Sequence, residues 1–135
     1  MISMGSDLMN KYAITAIRAV ELVREKNIDP NDAWKYAALE IFKERKSARE
    51  KGCPRGTFLG LCEEGKVDGI NPGNYTKSVK NKSYALKALE LIIQKPELSE
   101  NPKLLWDLLV NENKKSNSQM EIVCELYKHN LLNKK

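Results

Sequence analysis

The sequence predicts an all-α fold, a single domain over residues 1–135 with about six helices and room for a small β ribbon in one connection. Three observations carry this reading. Apolar residues recur at three- and four-residue steps through several separated segments. A small polar residue followed by proline recurs at Asp29-Pro30, Cys53-Pro54 and Asn101-Pro102, which suits a helix start because the N–H that proline lacks has no partner in the first turn. Apolar/polar alternation is poor even in the one connection where strands would fit.

Composition limits the class further. The 135 residues are 41% hydrophobic and 30% charged, enough apolar content for a real core. No apolar run approaches the roughly 20 residues that span a bilayer. Met1 to Asp7 holds no basic region followed by an apolar stretch, so no signal peptide is read there. Three irregularly spaced cysteines do not make a disulfide framework. These features together predict a cytoplasmic protein with no membrane partner.

The first helix is expected from about Ser6 to Lys26, with Leu8, Tyr12, Ala16, Val20 and Val23 as its stripe and Ser6 or Asp7 as its cap. Asp29 then caps a second helix, Pro30 opens it, and Ala33, Trp34, Ala37, Ala38, Ile41 and Phe42 face the core. The central helix runs from Cys53 to Glu64, with Cys53 near its cap and Phe58, Leu59, Leu61 and Cys62 inward. Gly56 and Gly60 share its other side, and each costs a helix interior about 1 kcal/mol relative to alanine. Something therefore approaches that face closely, either a neighbouring helix or a binding partner. Lys66 to Lys80 is a long connection centred on Asn71-Pro72-Gly73-Asn74, a type II turn signal. Further helices are expected from about Lys82 to Gln94, from Asn101-Pro102 through an almost wholly apolar Leu104–Val110, and from a Ser118–Glu121 capping box. Asn111 to Asn117 reads as a polar loop and Asn133-Lys134-Lys135 as a frayed tail.

The net charge of +5 favours polyanionic partners, and its distribution matters more than its sum. Between Lys43 and Gly52 five of ten residues are basic and two acidic. Arg45, Lys46, Arg49 and Lys51 from this run, with Arg55 and Thr57 beyond it, form one candidate anion-binding cluster. Lys77, Lys80 and Lys82 form a second, with no nearby acid in sequence. The structural alternative is a solvated helix end, where cations also suit the C-terminal dipole.

The runs KGCPRGTFLGLCEEG and GINPGNYT, with the earlier DPNDAW and the later NSQM, resemble a small bacterial family of uncharacterised proteins. The resemblance covers most of the chain and implies a small helical cytoplasmic protein. It supplies no catalytic residue, ligand or partner.

Three functional readings follow. The first is non-catalytic binding of nucleic acid or another polyanion through the two basic clusters. In its winged-helix form, the central helix would meet the groove and the ribbon after it the backbone. The second is a protein-interaction module whose partner covers the glycine face. The third is an anion or nucleotide site, or a thiol enzyme, at the start of the central helix. There Lys51, Arg55 and the free amides would hold an anion, and Cys53 would be the reactive thiol with Cys62 resolving it. His129, the single histidine, has nothing to place it beside Cys53. The spacing of Cys53, Cys62, Cys124 and His129 fits no zinc pattern, so neither metal nor cofactor is expected.

Overall fold

The computed structural model describes residues 9–110 and 114–134. Among them six helices surround one core: α1 (Lys11–Lys26), α2 (Pro30–Phe42), α3 (Gly52–Glu63), α4 (Val79–Gln94), α5 (Pro102–Leu109) and α6 (Gln119–Lys128). A single helical turn, Lys46–Arg49, precedes α3, and a 3₁₀ turn, Pro96–Glu100, follows α4. The all-α prediction holds.

α1 starts later than its stripe suggests. Ser6, Asp7 and Leu8 lie outside the described residues, and the cap is Asn10, whose Oδ1 accepts from the amides of Tyr12 at 2.8 Å and Ala13 at 3.2 Å. The Nδ2 of Asn10 donates to Ser118 Oγ at 3.1 Å and so ties the start of α1 to the start of α6. This contact also explains why the expected capping box is absent. Ser118 takes a left-handed backbone (φ 68°) and makes no side-chain cap bond to α6.

α2 begins as predicted, with Asp29 accepting from the Asn31 amide at 2.8 Å and Pro30 first in the helix. α1 and α2 pack together, both burying alanines: Ala13, Ala16 and Ala19 on one, Ala33, Ala37 and Ala38 on the other. Trp34 of α2 stacks on Phe58 of α3 with ring centroids 5.4 Å apart. α6 touches α1, α3, α4 and α5, and buries Met120, Ile122, Val123 and Leu126 among them.

α3 opens at Gly52 with Lys51 as its cap position, so Pro54 falls third and Cys53 second rather than at the cap. Pro54 and every residue from Gly56 to Cys62 are buried. The glycine face is filled from within the chain. A Cβ on Gly56 would meet Ser78 Cβ at 2.9 Å, and one on Gly60 would meet the Lys82 Cα at 2.7 Å. The absent side chains let α4 lie directly on α3, which leaves no glycine face for an outside partner.

The Lys66–Lys80 connection forms no ribbon. Its one bridge, Val67 to Leu132, is isolated, and no strand occurs among the described residues. The amides that a ribbon would need are engaged elsewhere: Gly73 N donates to Glu63 O at 3.2 Å, and Tyr75 N and Thr76 N donate to Glu63 Oε1 at 2.8 and 3.1 Å. The type II turn is absent too. The described glycines with left-handed backbone are Gly65 (φ 71°) and Gly69 (φ 87°), not Gly73. Gly73 instead makes room for the Tyr75 ring, whose edge would lie 2.9 Å from an added Cβ and whose hydroxyl donates to Asn71 O at 2.6 Å.

Two further expectations change near the C-terminus. α5 is not buried all round: Leu105 and Trp106 are inside, but Leu104 and Leu108 are 43% and 53% exposed. The tail is tied down through Asn133, whose N–H donates to Lys66 O at 2.7 Å and whose Nδ2 donates to Gly65 O at 3.1 Å. Residues 111–113 of the expected polar loop, and Lys135, lie outside the described residues.

Candidate polyanion interface

The start of α3 organises the site. Lys51 offers no side-chain cap, so the first-turn amides of Gly52, Cys53 and Arg55 and the positive end of the helix dipole face outward without an acceptor from a capping side chain. Thr76, Lys77 and Ser78 run past this end, and a cleft of about 470 Å³ opens between them and α3. Lys51, Arg55 and Lys77 all line it, together with Cys53, Asn81 and Asn117. The two basic clusters, 22 or more residues apart in sequence, therefore meet here through these three residues.

The floor of the cleft is held by polar side chains. Asn81 Nδ2 donates to Ser78 Oγ at 2.9 Å, and the buried Gln119 donates through Nε2 to Asn81 Oδ1 at 3.2 Å. Gln119 Oε1 in turn accepts from the Asn117 amide at 2.5 Å. Asn81, Asn117 and Gln119 were not legible as site residues, because nothing in the sequence links the start of α4 to the start of α6.

A second cleft, of about 480 Å³, lies on the other side of Arg55 between α2, the Lys46–Arg49 turn and α3. Arg49 and Arg55 line it with Trp34 and Lys35. Arg55 lines both clefts and joins them into one basic surface. Arg45 and Lys46 are exposed beside this surface, and Lys80 is exposed on the first turn of α4.

Two predicted site residues do not belong. Thr57 is fully buried, and its Oγ1 donates back to Cys53 O at 2.9 Å, a bond within its own helix. Lys82 is held by acids: its Nζ lies 2.6 Å from Glu63 Oε2 and 2.5 Å from Glu64 Oε2. These acids raise the Lys82 pKa, and the same contact, with the Tyr75 and Thr76 amides, lowers the Glu63 carboxyl to about 2. No acid lies near the second basic cluster in sequence, yet the end of α3 brings Glu63 and the following Glu64 to it.

The winged-helix and thiol readings also lose their geometry. A helix buried from Gly56 to Cys62 cannot enter a groove, and no ribbon follows it. Cys53 is partly exposed in the first cleft, but Cys62 is buried and its thiol pKa is pushed far up, first by desolvation and then by Asp29. Nine residues of helix also set the two Cα atoms roughly 13.5 Å apart along the axis, too far for a disulfide. Cys124 is buried as well, its pKa pushed up to about 12 by desolvation.

The family model for a family of unknown function, DUF6979, matches residues 9–133. The chain belongs to the DUF6979 family. The match takes in all six helices and both clefts. No curated protein and no solved structure matches the chain. Among the described residues, no helix is long and apolar enough to cross a membrane.

Proposed function

We propose that this DUF6979 protein binds polyanions, nucleic-acid backbone foremost, through Arg45, Lys46, Arg49, Lys51, Arg55 and Lys77. One observation carries the reading. The chain has five arginines. Arg18 and Arg24 on α1 are ion-paired, with Glu21 and Glu40 and with Asp68. Arg45, Arg49 and Arg55 have no ion pair with any described residue. Unpaired cations gathered on one surface raise its potential and are available to replace the counterions of a phosphate chain. Glu63 and Glu64 would repel phosphate near the start of α4, but Lys82 pairs with both and reduces that repulsion. Contact with backbone rather than bases fits a surface of lysine and arginine around a buried helix.

The test is fluorescence anisotropy with a mixed-sequence DNA duplex and an RNA strand, titrated across salt. Binding is expected to fall steeply as salt rises, with a log–log slope of about −0.9 per phosphate contacted on duplex DNA. Arg49→Ala/Arg55→Ala should reduce the slope by about 2. Arg18→Gln removes the same kind of charge from a paired site and should leave the slope alone. Absence of binding at low salt, or an equal effect from Arg18→Gln, would overturn the reading.

A further inference from the structure

We propose that the cleft between α2, the Lys46–Arg49 turn and α3 is a binding site for a small organic oxyanion, a carboxylate or phosphate head on an apolar body. Among the described residues, three buried side-chain polar atoms lack a hydrogen-bond partner: Trp34 Nε1, Arg49 Nε and Glu121 Oε1. The first two belong to residues lining this one cleft, and both are donors. Trp34 is only 1% exposed, and its indole N–H finds no acceptor among the described residues. Trp106 provides the contrast, because its Nε1 donates to Lys114 O at 2.9 Å as buried indoles ordinarily do. Two orphaned donors on residues that line one cleft call for an acceptor, and an oxyanion bound there would serve as one.

The rest of the cleft defines the occupant. Lys35 and Arg55 add positive charge against one acid, Glu50, so a negative head is favoured. Ala38 and Leu39 add an apolar wall beside the indole, which suits a hydrocarbon or ring and not a bare ion. The volume of about 480 Å³ lies in the range of small-molecule sites. Such a site is more selective than the polyanion surface. It shares Arg49 and Arg55 with that surface, but Trp34 belongs to it alone.

The experiment follows the two indole N–H resonances of the full chain in ¹H–¹⁵N spectra, assigned with Trp106→Phe, while titrating phenyl phosphate, benzoate, inorganic phosphate and neutral benzamide. The expected result is a saturable downfield shift of the Trp34 resonance with phenyl phosphate, benzoate or both, and a stationary Trp106 resonance. Inorganic phosphate should bind at least about tenfold more weakly than phenyl phosphate, for want of an apolar body. Arg49→Lys, which keeps the charge and loses the Nε donor, should weaken the organic anion by about tenfold. A Trp34 resonance that stays fixed with every probe, or moves as readily with benzamide, overturns the site and leaves ordered water as the partner of both donors. Equal affinity for inorganic phosphate also overturns it, showing an adventitious ion only. Where Arg49→Lys fails to fold, Lys35→Gln and Arg55→Gln, each expected to weaken the anion, replace it. Duplex affinity is read separately by anisotropy: a fixed indole with intact duplex binding overturns this site alone, and a shifted indole without duplex binding overturns the polyanion reading alone.

Discussion

Lys82 and Arg49 belong to basic runs that look alike in sequence, yet they are used in opposite ways. Lys82 sits at the junction of α3 and α4, 23% exposed in its side chain, between two carboxylates. Arg49 sits at the edge of α2 and α3 with a buried Nε and no acceptor. The first cation completes the fold, since Glu63 binds it while also holding the amides of Tyr75 and Thr76. The second has no ion pair with any described residue, and its Nε has no hydrogen-bond partner. Basic composition therefore does not locate a binding surface. What separates the two regions is whether the fold has already supplied an anion.

Four measurements would break or sharpen this contrast. The largest effect is expected at the structural junction. Glu63→Ala removes three charge-assisted contacts together and leaves Lys82 with Glu64 alone, so unfolding free energy by urea titration should fall by about 3 kcal/mol. Gly60→Ala comes next. Its Cβ would meet backbone at 2.7 Å, which no side-chain rotation relieves, so a net loss of about 2 kcal/mol is expected despite the better helix propensity of alanine.

The third measurement is the acid limb of stability. The Glu63 carboxyl lies at about 2 in the folded chain against an ordinary 4.5. A depressed carboxyl stabilises above its unfolded value, and that contribution is lost as pH falls from about 4.5 toward 2. Glu63→Gln should flatten this window in a pH-dependent melting series, and an unchanged slope would show that Glu63 does not anchor the connection. The smallest effect is expected at the other region. Arg45→Gln and Arg55→Gln should each move stability by no more than about 0.5 kcal/mol, because no folded-state ion pair is lost. A large loss at either of them would place that arginine with Lys82.

What the sequence revealed follows the same division. Asp29-Pro30 and Asn101-Pro102 were readable because a cap acts within three residues, and both asparagine and aspartate side chains do cap their helices. The glycine pair on α3 was readable as a close approach, and α4 is what approaches. The Glu63–Lys82 pair was not readable, since it joins residues 19 apart across a connection without periodicity. Thr57 looked like an anion-binding hydroxyl beside the basic run and proved buried, its Oγ1 turned back to Cys53 O within the helix. Trp34 was correctly placed in the core, but burial alone did not disclose that its N–H lacks an acceptor.

The tether between Asn133 and the Gly65–Lys66 corner, with the bridge from Val67 to Leu132 beside it, has a consequence for synthesis. A chain emerging from the ribosome can pack α1, α2 and α3 as they appear, but the corner that follows α3 must wait for partners about 65 residues later. At 5–20 residues per second that delay is roughly 3–13 seconds. Throughout it, the segment that places Lys77 beside Lys51 lacks its lower anchor. The nascent chain can therefore hold α1, α2 and α3 before its basic cleft is complete.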